Sequence, residues 1–281
     1  MGYNRAFIIG MGQPRSGSTW LHSYLREHAD FRIPDQKEFN IFHLRERNLA
    51  SSLWTIPIRR YAGRRWMKNQ IKRAYFRSDW GSYIRYLVEF AGGDFLTCDL
   101  SPTNQIMSEQ ALKRVRDLAL SHRYKPKAIF VARNPVSRIQ SMAKYKFAMR
   151  SRNRYVSDIG MNVNDIFWND VRGARYDPFN QLLKTYSRIN SVFEEEDSFF
   201  GLYEELILAD GIFDFCRWLG VKSTQPSATE KINTTFIPDF LSRGDFEAAE
   251  FELNWVFDEA SEIFGEEKVR KVWSIDRQQF N

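Results

Sequence analysis

The chain has 281 residues, enough to bury a sizeable core, and its 41 Lys and Arg outweigh 35 Asp and Glu to leave a net charge of +6. The basic surplus favours anionic ligands or surfaces. The chain holds no run near the about 18 apolar residues of a membrane span and no nucleic-acid motif spacing, which argues against a membrane-spanning protein and a motif-bearing nucleic-acid binder. Two cysteines in apolar settings, Cys98 and Cys216, read as core thiols without a disulfide, and two lone Cys with four dispersed His argue against a zinc site.

Ala6 to Ile9 reads as a short buried strand, broken by Gly10, Gly12, Pro14 and Gly17, after which an amphipathic helix runs from Ser18 to about His28. A strand, a glycine-containing loop and a helix direct several backbone N–H groups and a helix N-terminus at one spot, which suits a phosphate. Gly12 and Gly17 have the glycine spacing of the nucleoside-triphosphate loop, but Ser18 stands where that loop requires Lys. In a kinase or NTPase that Lys reaches the β- and γ-phosphates. Without it the loop suits a single phosphate, with Arg15 supplying charge. A plain glycine turn leading into a core helix is the alternative at this point.

Phe31 to Ile33 reads as a short strand, and Pro34 to Phe42, with Lys37 and Glu38 wedged before an aromatic cluster, as a loop lining a cleft. From Arg47 to Ser78 there is no acidic residue, while eight Lys and Arg between Arg59 and Arg77 interleave with aromatics. Three readings stay open here: a solvated basic face, a rim that gathers an anionic acceptor, and a membrane-surface patch. Gly81 to Ala91 reads as helix, Asp94 to Cys98 as a second core strand ending in Asp99 to Asn104, and a further helix runs to about Leu120. Lys127 to Ala132 is a strand that runs into Arg133, Asn134 and Pro135. Asn134 suits an N-cap and Pro135 the first helical position, of a helix reaching about Met149.

Beyond it come a basic stretch from Lys144 to Arg154 and a polar, irregular stretch to Asp177. A helix over Phe179 to Phe193, a strand over Ser198 to Tyr203, a short helix over Ile212 to Leu219 and a long loop over Lys222 to Arg243 follow. One helix from Asp245 to Phe264 closes the pattern. Alternating strands and helices predict right-handed crossovers and an α/β fold, a P-loop-like three-layer αβα arrangement with a central, mostly parallel sheet in a single domain over 1–281. Arg15, Asp99 and Arg133 each follow a predicted strand, which puts their loops at the edge where such sheets bind ligands.

Arg133 to Ser141 reads R-N-P-V-S-R-I-Q-S. Arg138 and Ser141, three residues apart, share a helix face, and an arginine with a hydroxyl suits a second phosphate. Ordinary helix-start charges are the alternative. The two clusters in this order resemble the sulfotransferases that use 3′-phosphoadenosine 5′-phosphosulfate (PAPS). In that resemblance Gln13 to Leu21 corresponds to the 5′-phosphosulfate motif and Val131 to Ser141 to the 3′-phosphate motif. Lys37, Glu38 and Phe39 with Phe42 are similar to the acceptor-side K-E motif, Leu100 to Thr103 to the S/T-P segment, and Tyr203 to Leu206 with Phe215 to Val221 to the Y-E-x-L … F-L-G stretch.

The resemblance implies PAPS as donor, adenosine 3′,5′-bisphosphate as product and no metal. It implies cofactor binding by Pro14, Arg15, Ser16, Gly17, Ser18, Thr19, Trp20, Arg133 and Ser141, with Arg15 and Glu38 catalytic and Glu38 as general base. Lys37, His43, Asp99 and Ser101 fall on the acceptor side, with 47–78 and 150–178 as acceptor-side insertions. Two departures matter. Many carbohydrate members place Lys where Arg15 stands, and the small-molecule members carry a His in the region that here reads Asp99 to Gln105. The match therefore tilts toward the carbohydrate-type and bacterial branch.

The expected acceptor is a glycan, glycolipid or secondary metabolite, anionic in some readings, sulfated on oxygen rather than nitrogen. The expected partners include no nucleic acid and leave room for peripheral membrane contact. With no signal peptide or anchor visible, the expected location is the cytoplasm of a bacterium or its phage. The rival classes are a P-loop nucleotide kinase or NTPase, which would need Lys at position 18 and Mg²⁺, and a non-enzymatic module for polyanions.

Overall fold

The computed structural model describes residues 5–42, 64–152, 162–208, 211–224, 237 and 240–274. Strand β1 (Ala6–Gly10) leads through a loop to helix α1 (Ser18–Glu27). Helices α2 (Arg64–Ser78) and α3 (Trp80–Phe90) precede strand β2 (Thr97–Asp99). A 3₁₀ turn (Pro102–Ile106) and helix α4 (Glu109–Ser121) lead to strand β3 (Lys125–Ala132) and helix α5 (Pro135–Arg152). Then come α6 (Val163–Arg172), α7 (Leu182–Asn190), strand β4 (Ser198–Leu202), α8 (Tyr203–Leu208) and α9 (Gly211–Leu219). Helices α10 (Arg243–Glu252), α11 (Asn254–Phe264) and α12 (Glu266–Trp273) end the described chain.

The fold is α/β, with a four-stranded sheet in the order β2-β1-β3-β4. β1 pairs in parallel with β2, Ile8 opposite Cys98, and with β3, Ile8 opposite Lys127. Phe7, Ile8 and Ile9 are wholly buried, as are Ala128 and Phe130 of β3. Continuous apolar runs, rather than alternating ones, are what a parallel sheet covered on both faces demands.

The residues sort into two compact units. One draws on Met1–Met11, His22–Ile129 and Arg188–Phe199, the other on Gly12–Leu21, Phe130–Ser187 and Phe200–Asn281. In the first, Phe39, Phe42, Phe76, Trp80, Tyr83 and Tyr86 form a continuous aromatic cluster with ring centroids 5.1 to 6.2 Å apart. In the second, α5 packs on α6 and α11 on α12. Cys98 and Cys216 are both buried and form no disulfide, and burial pushes the Cys98 thiol well up from its ordinary range.

Several sequence expectations change. The polar stretch before Asp177 is not irregular where described: it holds α6, opened by a capping box in which Asn162 and Asp165 exchange side-chain and backbone bonds. Its apolar face, Ile166, Phe167 and Val171, is buried, and its many polar residues disguised that face. The closing helix expected over Asp245 to Phe264 is two helices, because the chain leaves helical geometry at Leu253, and after a turn at Gly265, φ 89°, the unexpected α12 follows. Phe31 makes one isolated parallel bridge to Leu96 instead of heading a strand. β2 begins at Thr97 rather than Asp94, and α8 starts at Tyr203, directly off β4. His43, residues 47–63 and most of the loop expected over Lys222 to Arg243 lie outside the described residues.

Candidate functional site

Gln13 organises the loop after β1. Its side chain is buried, with Nε2 donating to the Phe179 carbonyl at 2.7 Å and Oε1 accepting from the Arg133 N–H at 3.2 Å. Its backbone N–H donates to the Val131 carbonyl, and its own carbonyl accepts from the Ser16 N–H. The loop is thereby fastened to the end of β3. Arg15 stands at φ 71° and Gly17 at φ 78°, left-handed geometry that non-glycine residues rarely adopt. Gly17 has a second reason to be glycine: a Cβ there would lie 2.4 Å from Ile207 Cδ1 and 2.7 Å from the Tyr203 ring. The first turn of α1 follows at once, so the helix N-terminus with its partial positive charge closes the loop.

The two motifs meet through side chains. Arg15 Nε donates to Ser141 Oγ at 3.0 Å, and Arg133 Nη1 donates to the Arg15 carbonyl at 3.0 Å. Arg15 lies over the Tyr145 ring at 5.4 Å and Arg133 over the Tyr203 ring at 4.5 Å. Ser141 and Tyr145 are four residues apart on α5 and so share its face. Asn134 caps α5, its Oδ1 accepting from the Val136 and Ser137 N–H groups. Behind this turn Glu204 is buried, with one carboxylate oxygen on the Asn134 N–H at 3.1 Å and the other on Trp273 Nε1 at 3.0 Å.

Pro14, Arg15, Ser16, Gly17, Ser18, Thr19, Trp20, Arg133 and Ser141 thus belong to one compact unit, with Arg15, Arg133 and Ser141 in direct contact. Arg138 goes elsewhere. It is buried, and its guanidinium bonds Asn180 Oδ1 and, at 3.5 Å, Asp177 Oδ2. Burial lowers its pKa while Asp177 opposes the fall. Its guanidinium is thus engaged in the interior, while Ser141 bonds Arg15.

The loop has the chemistry of an anion site. Ser16 Oγ and Arg133 Nε are buried and have no hydrogen-bond partner, so donors remain for a bound anion. Two guanidinium groups and a helix N-terminus supply the matching charge.

The acceptor-side residues lie in the other unit. Lys37 Nζ pairs with Glu38 Oε1 at 2.5 Å, and Arg73 of α2 donates to the Glu38 carbonyl. Burial lowers the Arg73 pKa, against the pull of Glu38. Asp99 is buried at the end of β2 and held from inside: Tyr83 OH donates to Oδ2 at 2.7 Å, the Ser101 N–H to Oδ1 at 2.7 Å and Asn104 Nδ2 to Oδ1 at 3.3 Å. Burial raises its pKa against those bonds, and it raises that of Tyr83 well above the usual phenol range. Ser101 Oγ accepts from the Asn40 N–H at 3.2 Å, and Thr103 Oγ1 donates to Asn40 Oδ1 at 2.9 Å. These bonds hold Asn40 at φ 54°, two residues past Glu38. Asp99 and Ser101 therefore shape the loop that carries Glu38.

The sequence placed Gln13 in the first motif without a role for its side chain, and gave Tyr145 and Trp273 no place at the site. Tyr145 had a signal, its four-residue spacing from Ser141; the long-range partners of Gln13 and Trp273 have none in the sequence. Among the described residues no group of three or more His, Cys, Asp or Glu is placed to hold a metal ion, and no helix is long and apolar enough to cross a membrane.

A sequence profile described as "Sulfotransferase family" matches residues 6–175. A search of curated protein sequences returned no match. Among solved structures, a sulfotransferase from Alicyclobacillus acidocaldarius is similar over 92% of this chain and 95% of that one, with 21% identity and a TM-score of 0.54. The sulfotransferase domain of the curacin biosynthetic pathway is similar over 80% of this chain and 78% of that one, with 18% identity and a TM-score of 0.49. A retinol dehydratase solved with androsterone and the inactive cofactor PAP covers 93% of this chain and 66% of its own, with 15% identity and a TM-score of 0.39.

Proposed function

The chain belongs to the sulfotransferase family, and from that premise we propose that it transfers a sulfuryl group from PAPS to a hydroxyl of a carbohydrate, glycolipid or secondary-metabolite acceptor. The observation that carries the donor half is the junction of Arg15 with Arg133 and Ser141, 118 and 126 residues further along the chain, which ties the two motifs into one cationic site. In this reading Arg15, the loop N–H groups and the hydroxyls of Ser18 and Thr19 stabilise the negative charge that builds on the leaving 5′-phosphate oxygen. Arg133 and Ser141 hold the 3′-phosphate, the first through its guanidinium and the second through its hydroxyl. Bound PAPS supplies the activated sulfuryl group; the protein's share is alignment and charge, as in phosphoryl transfer.

The acceptor half rests on the K-E motif. Glu38 takes the proton of the acceptor hydroxyl as its oxygen bonds to sulfur and the bridging sulfur–oxygen bond breaks. Lys37 pairs with that carboxylate, Arg73 holds the Glu38 carbonyl, and Ser101 accepts from the Asn40 N–H two residues on. The missing His after β2 supports the carbohydrate-type branch, and the basic segment 47–78 supports a sugar-like or anionic acceptor.

The test is a labelled-donor screen across sugars, lipids and phenols, run beside thermal shifts with adenosine 3′,5′-bisphosphate and with ATP and Mg²⁺. Stabilisation by the bisphosphate alone and label on a hydroxyl acceptor are the expected results. Stabilisation by ATP and Mg²⁺ alone would restore the kinase reading.

A further inference from the structure

Helix α2 presents two unlike faces. On its inner side Ala74 and Phe76 are buried, Arg73 holds the Glu38 carbonyl, and Lys72 lies 3.5 Å from the centre of the Tyr86 ring. On its outer side Met67, Ile71 and Tyr75 stand 39%, 49% and 45% exposed. Their spacing of four residues lines them along one side of the helix. The whole helix carries six Lys and Arg and no Asp or Glu. The next carboxylate along the chain, Asp79, is engaged as the N-cap of α3, bonded to Ser82.

Cations alone would suit any polyanion. The apolar stripe decides among them, because a sulfated or phosphorylated polymer leaves Met67, Ile71 and Tyr75 as wet as before. A bilayer carrying anionic lipid takes both features: the apolar side chains enter the headgroup boundary, while exposed Lys68 and the helix's unbalanced positive charge draw it to the negative surface. We propose that the outer face of α2 docks this chain on an anionic lipid surface. Because Arg73 of the same helix holds the Glu38 loop, docking would bring that loop near lipid-borne acceptors, a consequence that rests on the function proposed above; the docking itself does not.

Co-sedimentation of the full chain with vesicles, without donor or acceptor, tests the proposal. Vesicles of phosphatidylcholine containing phosphatidylglycerol are expected to bind at least about tenfold more tightly than phosphatidylcholine alone, and salt is expected to weaken the binding. Ile71→Asn is expected to reduce that binding at least about tenfold with an unchanged thermal midpoint. Met67→Ser, nearer the helix start, supplies a second variant should Ile71→Asn unfold the helix. Absence of binding to phosphatidylglycerol vesicles overturns the proposal. So does binding that both variants leave intact while heparin binds equally well, which marks a polyanion face, or a dimer that Ile71→Asn dissolves, which marks a contact between two copies. Sulfuryl transfer to a soluble acceptor, retained in both variants, keeps failure of docking distinct from failure of the catalytic reading.

Discussion

Arg15 Nε donates to Ser141 Oγ at 3.0 Å, although one residue sits in the first loop of the chain and the other two turns into α5. That bond joins what the sequence shows as two separate anion motifs. It also gives each motif a distinct experimental signature. Ser141→Ala removes one neutral acceptor and one potential phosphate donor and is expected to weaken adenosine 3′,5′-bisphosphate binding by about fivefold to tenfold. Arg133→Ala removes a charge and is expected to weaken it by roughly tenfold to a hundredfold. Adenosine 5′-phosphate, which lacks the 3′-group, should lose far less affinity in both variants. Equal losses for both nucleotides in calorimetric titrations would remove the 3′-phosphate from this site.

Gly17 is constrained twice, by its left-handed backbone and by the ring of Tyr203. Gly17→Ala is expected to cost about 1–3 kcal/mol of stability and to displace the first turn of α1. Ile207→Ala in the same chain relieves the shorter clash but not the backbone strain, so it should restore only part of the urea midpoint. Full restoration would show that contact, not conformation, sets the requirement.

Glu38→Gln keeps the shape of the loop and removes the proton acceptor. Turnover is expected to fall at least about a hundredfold while binding of adenosine 3′,5′-bisphosphate stays unchanged. Asp99→Asn makes the contrast, since that carboxylate is buried and bonded by Tyr83, Ser101 and Asn104. It should lower stability by about 1–3 kcal/mol. Near-normal turnover in Glu38→Gln would transfer the base to another residue.

His22 is buried beside Lys37 and Arg26, and burial first, then those two charges, lowers its pKa to about 4, with Asp35 and the Pro34 carbonyl opposing. A depressed value means that the unfolded chain takes up this proton near the ordinary histidine pKa of about 6.5, before the folded chain does. The contribution is therefore complete above about pH 6.5 and is lost as pH falls toward about 4, by roughly 3 kcal/mol at most. Urea unfolding at a series of pH values should show His22→Gln with a flatter decline than the parent over that interval. Parallel curves would mean that His22 is not neutral in the folded state.

Much of the fold was legible because its signals are local. Four apolar runs marked the four strands within a few residues, and Asn134 followed by Pro135 marked the start of α5 before any packing was known. The expectation failed where polar residues make up half of a helix, as in α6, or where one periodic run hides a break, as at Leu253. A polar helix declares itself through the few residues it buries, and which residues those are depends on what lies against it. Arg138 shows the same limit at the site. Its sequence position promised a phosphate contact, but Asp177 and Asn180 claim the guanidinium in the interior.

The sequence by itself determined that a strand, a phosphate-type loop without its lysine and a helix open the chain, that a second arginine motif follows a later strand, and that Lys37, Glu38 and Phe39 stand together. These are matters of neighbours along the chain, where backbone preference and side-chain chemistry act over a few residues. Only the tertiary structure decided which partner each side chain takes: Arg15 with Ser141, Gln13 with Phe179 and Arg133, Glu204 with Asn134 and Trp273. Such bonds join residues far apart in sequence, and they exist because packing brings buried polar groups to one another, where leaving them unmatched would be costly.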